Sequence, residues 1–247
     1  MGRWPDYHLT QVVLTPGKPA RPRALLLPAI MTIAMVALTM ALGFWQVRRL
    51  EWKTALLAEI DRGEAAEPVP LGASPPAFSR VRVTGEFLPA TALYGTEVRS
   101  TRDGIEMGAQ LVQPMRLPDG RTALVVRGWV PADAAPPAPG PATVTAYVRP
   151  PEYPVRFGAA DDPATRRFYA LDPIAIGAAL DVSNPAPFTL VTLGSSQPGV
   201  FPAPATELPR PVNNHFTYAI TWFAFAFSAL AVFGVYARNT LRHQDPA

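Results

Sequence analysis

None of the 247 residues is a cysteine. Disulfides, covalent c-type haem attachment, thiolate zinc and iron–sulfur sites, and cysteine-based copper carriage are therefore excluded. Lysine is nearly as scarce: Lys18 and Lys53 are the only two, so positive charge rests on arginine. The histidines are His8, His215 and His243, and a zinc site would have to recruit carboxylates from distant segments. No glycine-rich dinucleotide loop, P-loop or nucleophile elbow is present, so the common phosphate-binding and hydrolytic chemistries have no motif to rest on. The formal charge of +3 is spread along the chain, which leaves no nucleic-acid footprint. The expectation is a protein that is not an enzyme and does not bind nucleic acid.

Two uncharged stretches stand out, Ala24 to Val47 and Phe216 to Ala237. Each is long enough to cross a bilayer as a helix. The first follows a tail of more than twenty residues and lacks a clean small-x-small cleavage site, so it reads as a retained signal anchor. The expected plan is a tail over 1–23, a first span over 24–47, a central domain over 48–212, a second span over 213–237 and a tail over 238–247. Lys18, Arg21, Arg23, Arg238 and Arg242 in the tails slightly outnumber Arg48, Arg49, Lys53 and Arg210 on the domain side. The positive-inside rule then favours cytoplasmic termini and a periplasmic domain.

Helical character continues past the first span to about Asp61, with Trp45 and Trp52 seven apart on one face. Glu64 to Pro76 is rich in proline and acidic residues and reads as a linker. The period then changes to two. Ser79–Phe87 alternates as a half-buried strand, and 109–117 and 122–130 form a hairpin around Pro118-Asp119-Gly120. Strands are also expected over 142–149, 167–171 and 188–193, a short helix over 174–180, and an extended proline-rich return over 198–211. The fold class is two transmembrane helices flanking a compact, mostly antiparallel β (α+β) domain.

Asp161-Asp162 reads as a solvated turn, Arg166-Arg167 as a surface pair, and Trp129 as a core residue behind a tight turn. The remaining candidate for chemistry is His215, preceded by Asn213 and Asn214 at the mouth of the second span. A titratable group there is costly to bury without a partner. Tyr218, Trp222, Phe225, Ala226 and Ala229 follow on its side of a helix. That stripe either flanks a flat apolar ligand or forms an interfacial belt packed on the first span. His215 itself is either a ligand, imidazole being common on haem iron, or a donor to a backbone carbonyl or lipid phosphate.

Three blocks resemble the surfeit locus protein 1 family of cytochrome c oxidase assembly factors. The segment Leu42–Lys53 is similar to the family's Gly-x-Trp-Gln-x-x-Arg signature, Val125–Pro131 to its Arg-Gly-Trp-Val-Pro block, and Asn213–Phe223 to its Asn-x-His-x-x-Tyr-Ala-x-x-Trp block. The resemblance implies a bacterial inner-membrane protein with its central domain in the periplasm. The implied role is maturing the catalytic subunit I of a haem–copper oxidase, at or near haem a insertion. Haem a is the implied cofactor, with His215 as the candidate iron ligand. The implied partners are that subunit, haem a synthase and the lipid bilayer. Tyr218 and Trp222 would flank the porphyrin, with Arg48, Arg49 or Arg210 facing the propionates, because arginine pairs bidentately with carboxylates. The alternative is an accessory subunit that stays with a cytochrome c or quinol oxidase without binding haem.

Overall fold

The computed structural model describes residues 25–101 and 104–242. The expected tail over 1–23 lies outside them, as do His8 and His243. The chain divides into two compact units. One contains the residues up to Lys53 together with those from Asn213 onward, and the other spans Thr54–Val212.

Helix α1 (Leu26–Ala65) begins close to the expected position and, as expected, continues past Val47, ending four residues beyond Asp61. Its 40 residues would measure about 60 Å, twice the thickness of a hydrocarbon core. No proline or glycine pair interrupts it after Pro28, so a charged sequence continues the helix its apolar half began. The other long helix, in the first unit, starts at His215 rather than at Asn213, and runs to Arg242. Both helices are long and apolar enough to cross a membrane.

The second unit takes up the last turns of α1 and all the β-structure. Its strands are β1 (Val69–Pro70), β2 (Arg80–Phe87), β3 (Ala92–Thr101), β4 (Gly104–Arg116), β5 (Thr122–Pro131), β6 (Gly140–Arg149), β7 (Arg167–Phe168) and β8 (Pro185–Thr192). A short helix α2 (Pro173–Ala179) precedes β8, capped by the Asp172 carboxylate, which accepts from the N–H groups of Ile174 and Ala175. The long helix after the barrel is α3 (His215–Arg242).

Strands β2, β6, β8, β5 and β4 pair in that order, and β4 pairs back onto β2 through Glu86↔Arg116 and Phe87↔Met115, closing a barrel. Four seams are antiparallel and the β5–β8 seam is parallel. Inward residues such as Val81, Val83, Met115, Val125, Val148 and Leu190 form one core. A second core, on the outside, packs Val112, Leu124, Val126 and Val191 against Ile60 of α1, Phe168, and Ile176 of α2. Strand β5 is buried on both faces, which is why Ala123–Val126 reads as an uninterrupted apolar run. The β4–β5 turn is the expected one, with Gly120 at φ +85 and Arg121 paired to Asp119.

Two expectations need correction. Strand β3 was not anticipated, because Gly95 (φ +68) sits in a bulge between Tyr94 and Glu97 that breaks the alternation. The Glu64–Pro76 stretch is not a free linker. Its backbone carbonyls accept from Arg80 at Glu64 and Ala66, and from Arg121 at Gly72 and Ala73.

Candidate functional site

In the helix-pair unit, the residues with least exposure recur at alternating spacings of three and four. On α1 they are Thr32, Val36, Thr39, Gly43 and Gln46; on α3 they are His215, Ala219, Trp222, Ala226 and Ala229. That spacing is the seam of two packed helices. The seam is built from small residues, as expected where lipid supplies no hydrophobic drive between helices. A Cβ on Gly43 would lie 2.6 Å from Cε1 of Phe223, so only glycine lets that ring in. Phe44 meets the same ring edge-on, with centroids 5.5 Å apart.

At one end of the seam His215 and Gln46 meet. His215 Nδ1 lies 2.7 Å from Gln46 Oε1, across 169 residues of sequence. In the Nδ1–H tautomer the amide oxygen accepts from the ring and Nε2 keeps its lone pair. Gln46 is 8% exposed, and this contact is what lets an amide be buried there. Two residues before His215, Asn213 Oδ1 is buried with no hydrogen-bond partner.

A separate groove of about 730 Å³ between the two helices begins at Trp222, about 10 Å along α3 from His215 at the helical rise, and runs on to Tyr236; His215 and Gln46 do not line it. Trp222 and Phe225 stand edge-on to each other at its wall, joined by Ala229 from α3 and by Met35 and Leu38 from α1. Of the expected aromatic stripe, Trp222, Phe225 and Ala229 therefore line one groove, and Ala226 is buried in the seam. Tyr218 is 54% exposed and does not line the groove.

The arginines divide. Arg48 is exposed, while the guanidinium of Arg49 lies 4.0 Å from the Trp52 ring centroid. Arg49 is one turn beyond Gln46 on α1, and Arg48 is off that face. Arg210 belongs to the barrel unit, where Asp61 at 2.7 Å and Glu64 share its guanidinium. Its charge is already matched there.

Sequence reasoning quoted Gln46 within a motif but gave it no role. The signal was its position as the last polar side chain before the charged turns, inside an otherwise apolar span. The tryptophan block is structural. Gly128 has φ +135, and a Cβ there would collide with the Ala203 backbone. Trp129, 1% exposed, exchanges both backbone hydrogen bonds with Ala203 and donates Nε1–H to the Glu97 carbonyl at 3.1 Å. The Asp161-Asp162 pair caps a turn, as expected. Asp162 accepts from the Thr165 hydroxyl and from the N–H groups of Thr165 and Ala164, which holds its carboxyl below the usual range. Asp161 accepts from Tyr169 N–H.

These features define a β-barrel domain placed in sequence between two helices apolar enough to span a membrane, with a histidine–glutamine contact between the helices. The family model described as "SURF1 family" matches residues 33–227. A SURF1-like protein of Monosiga brevicollis is 30% identical over 227 residues, covering 83% of this chain and 84% of its own length. Surfeit locus protein 1 of Mus musculus is 30% identical over 229 residues, with coverage of 83% and 74%. A SURF1-like protein of Rickettsia felis is 26% identical over 223 residues, with coverage of 86% and 97%. The chain belongs to the SURF1 family.

Proposed function

We propose that this chain is a membrane-anchored, chaperone-like assembly factor for a haem–copper terminal oxidase, holding haem a on His215 before its insertion into catalytic subunit I. The observation that carries this reading is the 2.7 Å contact between His215 Nδ1 and Gln46 Oε1, which in the Nδ1–H tautomer leaves Nε2 as an iron donor. A bare metal ion needs three or more protein ligands, and no such group of His, Cys, Asp and Glu occurs among the described residues. One imidazole suffices when a porphyrin already supplies four nitrogens. Two residues before His215, the buried Asn213 Oδ1 has no hydrogen-bond partner, which fits a site with a missing polar group.

Trp222 and Phe225 offer aromatic contact to an apolar ring system in the groove, which Tyr218 does not line. Arg49, with Arg48 in reserve, is the counter-charge for propionates. Arg210 is left out because two carboxylates occupy it. In this reading both long helices cross the bacterial inner membrane, the termini are cytoplasmic and the barrel is periplasmic. Haem a synthase is the upstream partner and subunit I the recipient, so the protein carries a group without transforming it.

A second reading, an accessory subunit that docks on the oxidase without haem, draws on the β3–β4 hairpin. There Val98, Met107 and Ile105 share one face and are exposed, Ile105 at 80%. Absorbance of the full chain, purified in mild detergent from haem a-replete membranes, separates the two. The haem reading expects a Soret band that His215→Ala abolishes. A colourless protein that co-purifies with assembled oxidase overturns it in favour of the second.

A further inference from the structure

We infer that one end of the barrel is a binding site for a carboxylate group, received by the Arg127 guanidinium with the Thr192 hydroxyl beside it. The inference stands apart from the haem-carrier reading and concerns the other unit of the chain. Arg127 opens the Arg-Gly-Trp-Val-Pro block, whose glycine and tryptophan the fold already accounts for.

Strand register brings the two residues together. On the parallel β5–β8 seam Val125 pairs with Leu190 and Val126 with Val191, so Arg127 and Thr192 come next on neighbouring strands. Val125 and Leu190 belong to the inner core and Val126 and Val191 to the outer one, so alternation turns Thr192 inward again. Arg127 sits where β5 bulges against Leu111 and Val112 of β4, and its contacts show which way it faces. Its guanidinium carbon lies 4.3 Å from the ring centroid of Phe87, an inner-core residue. Its Nη1 donates at 2.9 Å to Oε1 of Gln113, the pair of Val125 on β4.

Those contacts aim the guanidinium without neutralising it. Gln113 is itself fixed, because its amide nitrogen donates to the Leu88 carbonyl at 2.7 Å. Arg99, Arg116, Arg121, Arg149 and Arg210 each meet a carboxylate, whereas no ion pair among the described residues involves Arg127. Burial pushes its pKa down. Thr192 Oγ1 is buried with no hydrogen-bond partner. A half-buried cation and a buried hydroxyl on adjacent strands therefore lack an acceptor at the same barrel end. Arg127 is partly exposed, so a ligand can reach it from solvent. A carboxylate is planar, accepts only, and takes two parallel bonds from a guanidinium fork, which a halide cannot do. An arginine kept only to satisfy Gln113 would carry its unmatched charge as a cost.

The test follows the barrel Tm of the full chain in detergent against succinate, with chloride and phosphate at equal ionic strength as controls. Wild type, Arg127→Gln and Thr192→Val are compared. Wild type is expected to gain roughly 3–6 °C at succinate about ten times its dissociation constant, and then to saturate. Arg127→Gln is expected to lose that gain. Thr192→Val removes an unpaired hydroxyl at nearly constant shape, so its Tm without succinate should hold or rise while its response to succinate shrinks. No gain in wild type, an undiminished response in either variant, or an equal gain from chloride or phosphate would overturn the inference. Should Arg127→Gln fail to fold for want of the Gln113 contact, Thr192→Val decides alone by the same criterion. A second arm reads the source of the carboxylate. Oxidase subunit I that is retained by wild type, lost from Arg127→Gln and released by succinate marks an acidic side chain of a protein partner. The succinate response without such release marks a small acid.

Discussion

The barrel and the helix pair differ in how their polar groups are tied. Two buried networks of the barrel are tied several times over, while Arg80 Nε and Thr192 Oγ1 are buried there without a partner. Arg149 contacts Glu152 through two nitrogens and Tyr94 through one, and Tyr94 donates to Glu152. Gln113 donates to the Leu88 carbonyl and accepts from Arg127, whose guanidinium also lies over the Phe87 ring. Burial pushes the Tyr94 hydroxyl up, with Arg149 pulling it partly back, and pushes the Arg127 guanidinium down. In the helix pair the hydroxyls of Thr32, Thr39 and Thr221 fold back onto their own helices. The His215–Gln46 bond stands between the helices, and Asn213 Oδ1, two residues before His215, is buried without a partner. A redundant network resists the loss of any one bond, whereas the helix pair has one side-chain hydrogen bond of this kind between its helices among those described.

The largest effect should come from the barrel. Trp129→Ala empties a fully buried site whose ring, backbone and Nε1–H are all engaged, and a loss of about 3–5 kcal/mol is expected. Thermal denaturation of the full chain in detergent checks this. A Tm unchanged within two degrees would mean that the tryptophan block does not anchor the fold, and the comparison would lose its structural half.

Next in size is Gly43→Leu, which places a side chain where the Phe223 ring now sits. The expectation is that barrel stability is preserved while the helices part; on the proposed haem-carrier function, haem uptake then falls by roughly ten-fold or more. Haem titration and barrel Tm on the same sample measure both halves. Equal loss in both would show that the two regions do not divide shape from cargo as argued.

The smallest effect concerns Asp162, whose depressed carboxyl pKa comes first from the Thr165 hydroxyl and then from backbone N–H groups. A carboxyl held low in the folded state stabilises at pH above its unfolded value, and that contribution disappears as pH falls through the folded value. Asp162→Asn should therefore lower Tm slightly at neutral pH and match wild type in acid. A gap between the two curves that persists in acid would refute the assignment.

Much of the barrel could be read from residue order. The alternation at Ser79–Phe87 and the Pro118-Asp119-Gly120 turn are local signals, and both elements formed where expected. Strand β3 escaped because a bulge at Gly95 destroys the period that reveals a strand. The early half of β4 escaped because Gly104–Met107 pairs within an exposed hairpin and carries little burial pattern. In the candidate site, the position of His215 at a helix start was legible, but the outward setting of Tyr218 and the engagement of Arg210 by Asp61 and Glu64 were not. Those depend on which neighbour a side chain meets, and helical spacing alone carries no such information.

Length and charge alone determined the two apolar helices, since more than twenty uncharged residues in a row need no tertiary partner to declare themselves. They also placed His215 at the boundary of the second. Tertiary structure alone closed the barrel, by pairing β4 back to β2 and β5 alongside β8, contacts between segments far apart in the chain. It alone set Gln46 against His215 across 169 residues. A hydrogen bond of that kind is decided by where two helices cross and by a glycine that lets them come close. No local period encodes either.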